Sequence, residues 1–302
     1  MTRHISVLLR EVLAALQLKS GENVVDCTLG DGGHSEAMLE QIAPNGKLLG
    51  IDADPESVLR AKQYLYRYND RVIFARDNFE NIKQIVAENN FHPVNAILLD
   101  LGWSTPQFKE RGRGFSFEGD EPLDMRYGGA NQKGMTAAEI INEYSFADLK
   151  RIFRQFGEEK LAEPIAQAIV DKRSESIIDT TGKLTEIILE VFRTILKTEK
   201  EVPWVGGLHP ATKVYQALRI ETNRELEVLK KVLADALEIL EPGGRFAVIT
   251  FHSLEDRIVK HFIQSRSEEL KIINKKPIVA TDQEVEHNPS SRSAKLRIIQ
   301  KN

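Results

Sequence analysis

Cysteine occurs once in the 302 residues, at Cys27. A lone thiol cannot close a disulfide within its own chain, and a chain built without disulfides suits a reducing cytosol, so cytoplasmic residence is the expectation. No apolar run approaches the roughly 18 residues of a membrane span. The N-terminus carries Arg3, Arg10 and Glu11 within a helical pattern and has no signal-peptide core. An excess of positive charge is missing too: a net charge of -4 leaves nucleic-acid binding to local patches. Internal repeats and low-complexity runs are absent. With 41% hydrophobic and 28% charged residues, the chain has the composition of a globular protein with one large domain or two modest ones.

What is present centres on Val24-Val25-Asp26-Cys27-Thr28-Leu29-Gly30-Asp31-Gly32-Gly33-His34-Ser35. A β-branched run enters a loop with three glycines and leaves it into Glu36–Ile42, where Ala37, Met38 and Ile42 have helical spacing. Strand, glycine loop and helix in that order let a ligand lie against the main chain at a helix N-terminus. An ordinary tight turn would look the same. Lys47–Asp52 then reads as a second strand, ending in an acid about twenty residues beyond the glycines, where a carboxylate can accept from both hydroxyls of an adenosine ribose. The dinucleotide fingerprint wants a third glycine where this chain has Ser35, and Asp31 inside the loop would repel a pyrophosphate. S-adenosylmethionine, with a ribose and no pyrophosphate, fits better than NAD.

Along the chain, Ile5, Leu8, Leu9, Val12, Leu13 and Leu16 form one apolar helical stripe that should cover an end of the sheet. Asp54-Pro55 opens a helix expected to run through Tyr68, and Arg71–Ala75 reads as a third strand. Phe79, just beyond it, either stacks on an adenine or packs as a core residue with Ile82 and Ile85. Asn95–Asp100 is a fourth, buried strand adjacent to the first, and the loop from Asp100 to Gln107 faces the reactive end of a cofactor, with Ser104 a candidate pocket group. Alternation of strands and helices implies a parallel sheet with right-handed crossovers. From Thr136 to Lys197 the pattern is purely helical, long enough for a small core of its own. Arg111, Arg113, Phe115 and Phe117 interleave charge with aromatics as single-strand binders do, and as a solvated loop with two buried phenylalanines also would. A helical stretch from Pro210 to Leu240 leads to a fifth strand at Arg245–Phe251. His252 follows it, either as a pocket group or as a satisfied histidine beside a helix cap, with Ser253 and Asp256 spaced as a capping box. Strands at 271–280 and 295–301 would complete a seven-stranded sheet.

Taken together, these motifs resemble the bacterial 16S ribosomal RNA cytosine-N4 methyltransferase family over nearly the whole chain. The resemblance rests on the Gly-Gly-His-Ser loop, Asp100-Leu-Gly-x-Ser-x-Pro-Gln107, Arg113-Gly-Phe-Ser-Phe117, Pro122-Leu-Asp-Met-Arg126, His209-Pro-Ala-Thr212, Gln216-Ala-Leu-Arg-Ile220 and Ser253-Leu-Glu-Asp-Arg257. It implies an α/β fold: a Rossmann-like seven-stranded class I methyltransferase domain, residues 1–108 and 209–302, interrupted by an all-helical RNA-recognition insertion at 109–208. It implies S-adenosylmethionine as cofactor, held by Gly32, Gly33, His34, Asp52, Phe79, Asp100 and Gln107, with no metal. Ser104, His252, Arg111 and Arg113 are candidates for substrate contact, and 16S ribosomal RNA or the small ribosomal subunit is the implied partner, with no membrane partner. The implied reaction methylates the exocyclic N4 of a cytidine. No general base is named, because the proton can leave after transfer.

The chain departs from the family pattern at Asp31 and Trp103, where glycine and valine are usual, and at Thr105 and Ser290, where serine and arginine are usual. A non-catalytic RNA-binding assembly factor and an NAD-linked oxidoreductase are the competing classes. Occupancy and turnover of the pocket between Gly32 and Asp52 separates them from a methyltransferase.

Overall fold

The structure is a computed structural model describing residues 5–102, 112–198, 202–204 and 207–302. Contacts divide the chain into two compact units, one of residues 1–104 and 226–302 and the other of residues 105–225.

The first unit is built on a sheet of eight strands: β1 (Val24–Asp26), β2 (Leu48–Asp52), β3 (Val72–Arg76), β4 (Val94–Asp100), β5 (Leu240–Thr250), β6 (Leu270–Ile272), β7 (Ile278–Val279) and β8 (Lys295–Lys301). The order is β3-β2-β1-β4-β5-β8-β6, with β7 also on β8; neighbours from β3 to β5 are parallel and β8 runs antiparallel to β5. This is the arrangement of a doubly wound sheet with a reversed C-terminal hairpin. Continuous apolar runs such as Ile97-Leu98-Leu99 are what a strand covered on both faces requires. One face packs Val25, Leu49, Ile97, Leu99 and Phe246 against the helix Glu225–Ile239 and α4 (Ile82–Glu88). The other packs Val24, Leu48, Leu98 and Ile249 against α1 (Leu9–Leu16), α2 (Gly33–Gln41) and α3 (Pro55–Tyr64).

Strand order reverses between β1 and β4. From β1 the chain winds outward through β2 and β3, and then returns to β4 on the other side of β1. The carboxyl ends of β1 and β4 therefore diverge into loops on opposite sides, leaving a crevice where ligands of such sheets bind.

Several elements differ from the sequence expectation. The stripe from Ile5 does not start a helix there: Leu8 is left-handed (φ 53) and fully buried, α1 begins at Leu9, and Ile5 is exposed. The helix opened by Asp54-Pro55 ends at Tyr64 and continues as a 3-10 segment, Tyr66–Arg71. The helical stretch from Pro210 is two helices, Thr212–Asn223 and Glu225–Ile239, broken by Arg224 at φ 51. The strand expected over 271–280 is two strands, β6 and β7, making eight rather than seven. Pro277 cannot donate to a ladder, and Asn274 replaces the missing pairing with its side chain. Its amide donates to the carbonyls of Lys276 and Leu296, both at 2.9 Å, and accepts from the Ile298 N–H at 2.8 Å.

The second unit is helical, with helices Ala137–Glu143, Phe146–Gln155, Ala162–Glu175, Thr181–Leu196 and Thr212–Asn223. Local sequence sets three of the starts: Thr136 and Glu139 form a capping box, Ser145 caps Phe146–Gln155 and Thr180 caps Thr181–Leu196. Leu149, Ile152, Phe153, Ile165, Leu184 and Ile188 supply a core separate from that of the sheet. The sequence reading returns to the sheet at residue 209; by contact the return comes one helix later, at Leu226. Helix Thr212–Asn223 packs on Phe146–Gln155 and Ala137–Glu143. Among the described residues no helix is long and apolar enough to cross a membrane.

Replacing Asn274 by Ala should remove three hydrogen bonds that close the C-terminal hairpin. A loss of about 1–3 kcal/mol in chemical denaturation is expected, and a stability within error of the parent would contradict this account of the strand break.

Candidate functional site

The site grows out of the end of β1. Asp26 closes the strand, and its carboxylate accepts from the Thr28 N–H at 3.1 Å and from Ser35 Oγ at 2.6 Å. Ser35, which stands where a dinucleotide site has its third glycine, is thus occupied in pinning α2 to β1. The loop between them stays stitched to the sheet: Cys27 N–H donates to Leu98 O and Leu29 N–H to Ile51 O, both at 2.9 Å. Gly30 (φ 53) and Gly32 (φ 78) take the left-handed conformations that this turn demands. At Gly33 the requirement is space, because a Cβ there would fall 2.1 Å from Ser6 Oγ.

Asp52, at the end of β2, is held from both sides. Gly30 N–H donates to its Oδ2 at 2.8 Å and Asp54 N–H to its Oδ1 at 2.9 Å. The expected ribose acid is therefore fixed against the glycine loop. Asp54 also caps α3 through Glu56 and Ser57. One strand further out, the backbone joins Asp77 N–H to Asp52 O at 3.1 Å, and Phe79 opens a 3-10 turn capped by Asn78. Phe79 is half-buried and packs against the sheet core, so one side of its ring serves packing.

Asp100 ends β4, with its N–H on Thr28 Oγ1 (2.8 Å) and its Oδ1 accepting from Gly102 N–H (2.9 Å). Burial pushes its pKa up to about 7, and the nearby carboxylates of Asp26 and Glu255 add to the rise while the Gly102 N–H opposes it. Asp26 is raised as well, by burial above all. His34, nearly buried, donates from Nε2 to the Val7 carbonyl at 3.0 Å, with Nδ1 3.7 Å from Asp100 Oδ2. The glycine loop, Asp52 and Asp100 thus share one end of the sheet, with His34 between the loop and β4.

Sequence reasoning passed over the group that answers Asp31. Arg60 of α3 donates from Nε to Asp31 Oδ1 at 2.7 Å. Asp31 is therefore not a bare charge in the loop, and its presence alone does not exclude a pyrophosphate. An acid among glycines was itself the signal that a cation should be sought one helix away.

His252 is the residue that changes most. It caps helix Ser253–Ser265 and forms the capping box with Glu255, one residue ahead of the Ser253–Asp256 pairing expected from spacing. Glu255 Oε2 accepts from Phe251 N–H at 2.7 Å and His252 N–H at 3.3 Å, and His252 Nδ1 accepts from Glu255 N–H at 3.5 Å. Asp256 instead pairs with Arg297 at 2.7 Å. His252 Nε2 lies 3.1 Å from Glu255 Oε1, buried and without hydrogen-bond geometry. The cap accounts for the Nδ1 side of His252.

In the helical unit, Arg113 donates from Nη1 to the carbonyls of Arg126 and Tyr127 and lies over the Phe115 ring. Nη1 of its guanidinium is thereby engaged with the turn at Arg126 and Tyr127. Phe117 stacks on His209 with centroids 4.3 Å apart, and Trp204 meets His209 edge-on while remaining 67% exposed. Ser104, Gln107 and Arg111, with Trp103 and Thr105, lie outside the described residues. Ser290 is exposed in a 3-10 turn.

The family model of the MraW methylase family matches residues 1–302. The chain belongs to that family. Curated relatives named ribosomal RNA small subunit methyltransferase H are 42% identical in Clostridium botulinum (strain Loch Maree / Type A3) and 40% identical in Desulfosudis oleivorans, each over 99% of both chains. Among solved structures, an rRNA methylase from Streptococcus thermophilus superposes with a TM-score of 0.45 at 12% identity, covering 100% of this chain and 98% of that one. For this member of the methylase family, the geometry above says which groups stand at the strand ends.

The raised pKa of Asp100 has a stability consequence of fixed sign. The folded state holds this proton more tightly than the unfolded chain, whose Asp titrates at 3.8 against about 7 here. Stability is then lost as pH rises between those values and the penalty is constant above them. Asp100→Asn should therefore stabilise the protein more at pH 8 than at pH 5, by about 1–3 kcal/mol in denaturant titrations. An equal effect at both pH values would show that Asp100 is not a buried acid.

Proposed function

We propose that this chain transfers the sulfonium methyl of S-adenosylmethionine to the exocyclic N4 amine of a cytidine in small-subunit ribosomal RNA. The observation carrying the cofactor reading is Asp52, whose carboxylate is clamped by the N–H groups of Gly30 and Asp54 beside a glycine loop. A carboxylate so placed suits the vicinal hydroxyls of an adenosine ribose. Asp26 and Asp100 at the same loop favour the ammonium of an amino-acid tail over a pyrophosphate. S-adenosylmethionine supplies an electrophilic methyl group; the residues supply position. Gly32, Gly33 and His34 present the backbone of the α2 N-terminus, Phe79 offers a ring face at the end of β3, and Asp100 marks the end of β4. Gln107 joins them by resemblance.

The names of the curated relatives support small-subunit ribosomal RNA as substrate. An amine rather than a ring carbon is favoured by Cys27: attack at a pyrimidine ring carbon needs a reactive thiolate, and this thiol is buried with its pKa pushed well up by burial. The amine needs orientation more than a base, since its proton is acidic once the methyl has been added. Holding two reactants in line can supply several kcal/mol, up to roughly 7–11 in ideal cases. The helical insertion guides the RNA; the exposed Trp204 at the edge of the His209–Phe117 stack is a surface on which an unpaired base can lie.

Two measurements test this reading. Asp52→Ala should weaken S-adenosylmethionine at least tenfold in calorimetric titration, since charge-assisted hydrogen bonds are worth about 1.5–3 kcal/mol each; unchanged affinity would remove Asp52 from the site. Nucleosides from small-subunit RNA of cells with and without the protein, separated by mass spectrometry, should differ in N4-methylcytidine. A difference in 5-methylcytidine, or none, would refute the reaction.

A further inference from the structure

Asp31 sits between two left-handed glycines, and its side chain is only 10% exposed. A carboxylate so far out of water at a ligand-binding loop requires a counter-charge. Arg60 provides it through Nε at 2.7 Å, and has poor alternatives of its own: Nη1 comes no closer than 4.0 Å to Glu56, and Nη2 is buried with no hydrogen-bond partner. Each residue of the pair is the main compensation for the other.

The pair also closes a circuit. Gly30 N–H binds Asp52, Asp54 N–H binds Asp52 and caps α3, and Arg60 of α3 returns to Asp31 beside Gly30. Loop, ribose acid and helix are tied at three points. Cutting the Arg60–Asp31 tie leaves the loop held to β2 by the Leu29 N–H bond to Ile51 O, ahead of the glycines, and by the Asp52 carboxylate that the ligand itself must engage.

We propose that Arg60 is a positioning residue for S-adenosylmethionine: paired with Asp31, it locks the glycine loop onto α3 and so fixes the loop at its ligand-binding distance from Asp52. This rests on the cofactor reading given above. The pair acts as a unit, so removing one charge is worse than removing both.

Calorimetric titration of S-adenosylmethionine into the parent, Arg60→Gln, Arg60→Lys, Asp31→Asn and the double variant Asp31→Asn/Arg60→Gln decides it, with thermal melting of each protein without ligand alongside. Arg60→Gln should weaken binding by about tenfold, Arg60→Lys should recover part of that loss, and the double variant should bind more tightly than Arg60→Gln by about threefold or more. Independent, multiplicative losses would overturn the proposal. So would coupling seen in melting temperature but not in affinity, which is the behaviour of a purely structural ion pair. If Arg60→Gln does not fold, Arg60→Lys and Asp31→Asn carry the test, and parent-like affinity in both overturns it. A parent protein that does not bind S-adenosylmethionine defeats the cofactor reading itself, an outcome distinct from loss of coupling among variants.

Discussion

Four carboxylates meet at one end of the parallel sheet, and the structure around them is arranged to make that convergence tolerable. Like charges in a partly dry crevice repel strongly, and each acid meets a different remedy. Asp26 is buried and bonded to Ser35 and Thr28, with its pKa raised. Asp31 is answered by a cation, Arg60. Asp52 is met by two backbone N–H groups. Asp100 is left with a pKa near neutrality, so that it need not carry full charge. The glycine loop can hold its shape because none of the four is an uncompensated anion within it.

Much of this was legible in the sequence, for physical reasons that differ by element. Parallel strands buried on both faces must be continuous apolar runs, so β2, β4 and β5 announced themselves. The polar N-cap of α3 did the same: Asp54 caps as its residue type suggests. Asp52 was legible because its distance from the glycines is set by the length of one βα unit. The reading failed where pairing is not encoded locally. Nothing in Asn274 signals that its amide will stand in for a strand, and nothing in Ser253-Leu-Glu-Asp256 says that the histidine before it will be the cap, because histidine is not a residue one expects there.

The same distinction explains the site. Residues on the loop itself could be nominated from spacing, whereas Arg60 and Val7 act on it across 29 and 27 positions of sequence, in contacts that only the folded chain creates. Arg113 shows the converse. Its motif, basic and aromatic by turns, is chemically suited to a nucleic acid, yet two carbonyls of the neighbouring turn hold the guanidinium. Residue type set what it could bind, and the fold gives Nη1 to the backbone.

The glycine loop is also gripped by parts of the chain most distant from it. Ser6 packs against Gly33, Val7 accepts from His34, Leu8 N–H donates to Glu284 at 2.6 Å, and Asn288 donates to Ile5 O at 3.0 Å. A segment preceding α1 is thereby laid over the start of α2 and fastened by residues preceding β8. Leu8 accepts a left-handed backbone, uncommon for a branched residue, to make that path, and complete burial of its side chain offsets the cost. The loop's shape is therefore a property of both ends of the sheet unit as well as of its own glycines. This is why no short motif identifies the site, and why several motifs spread from the glycine loop to Arg257 were needed to see it.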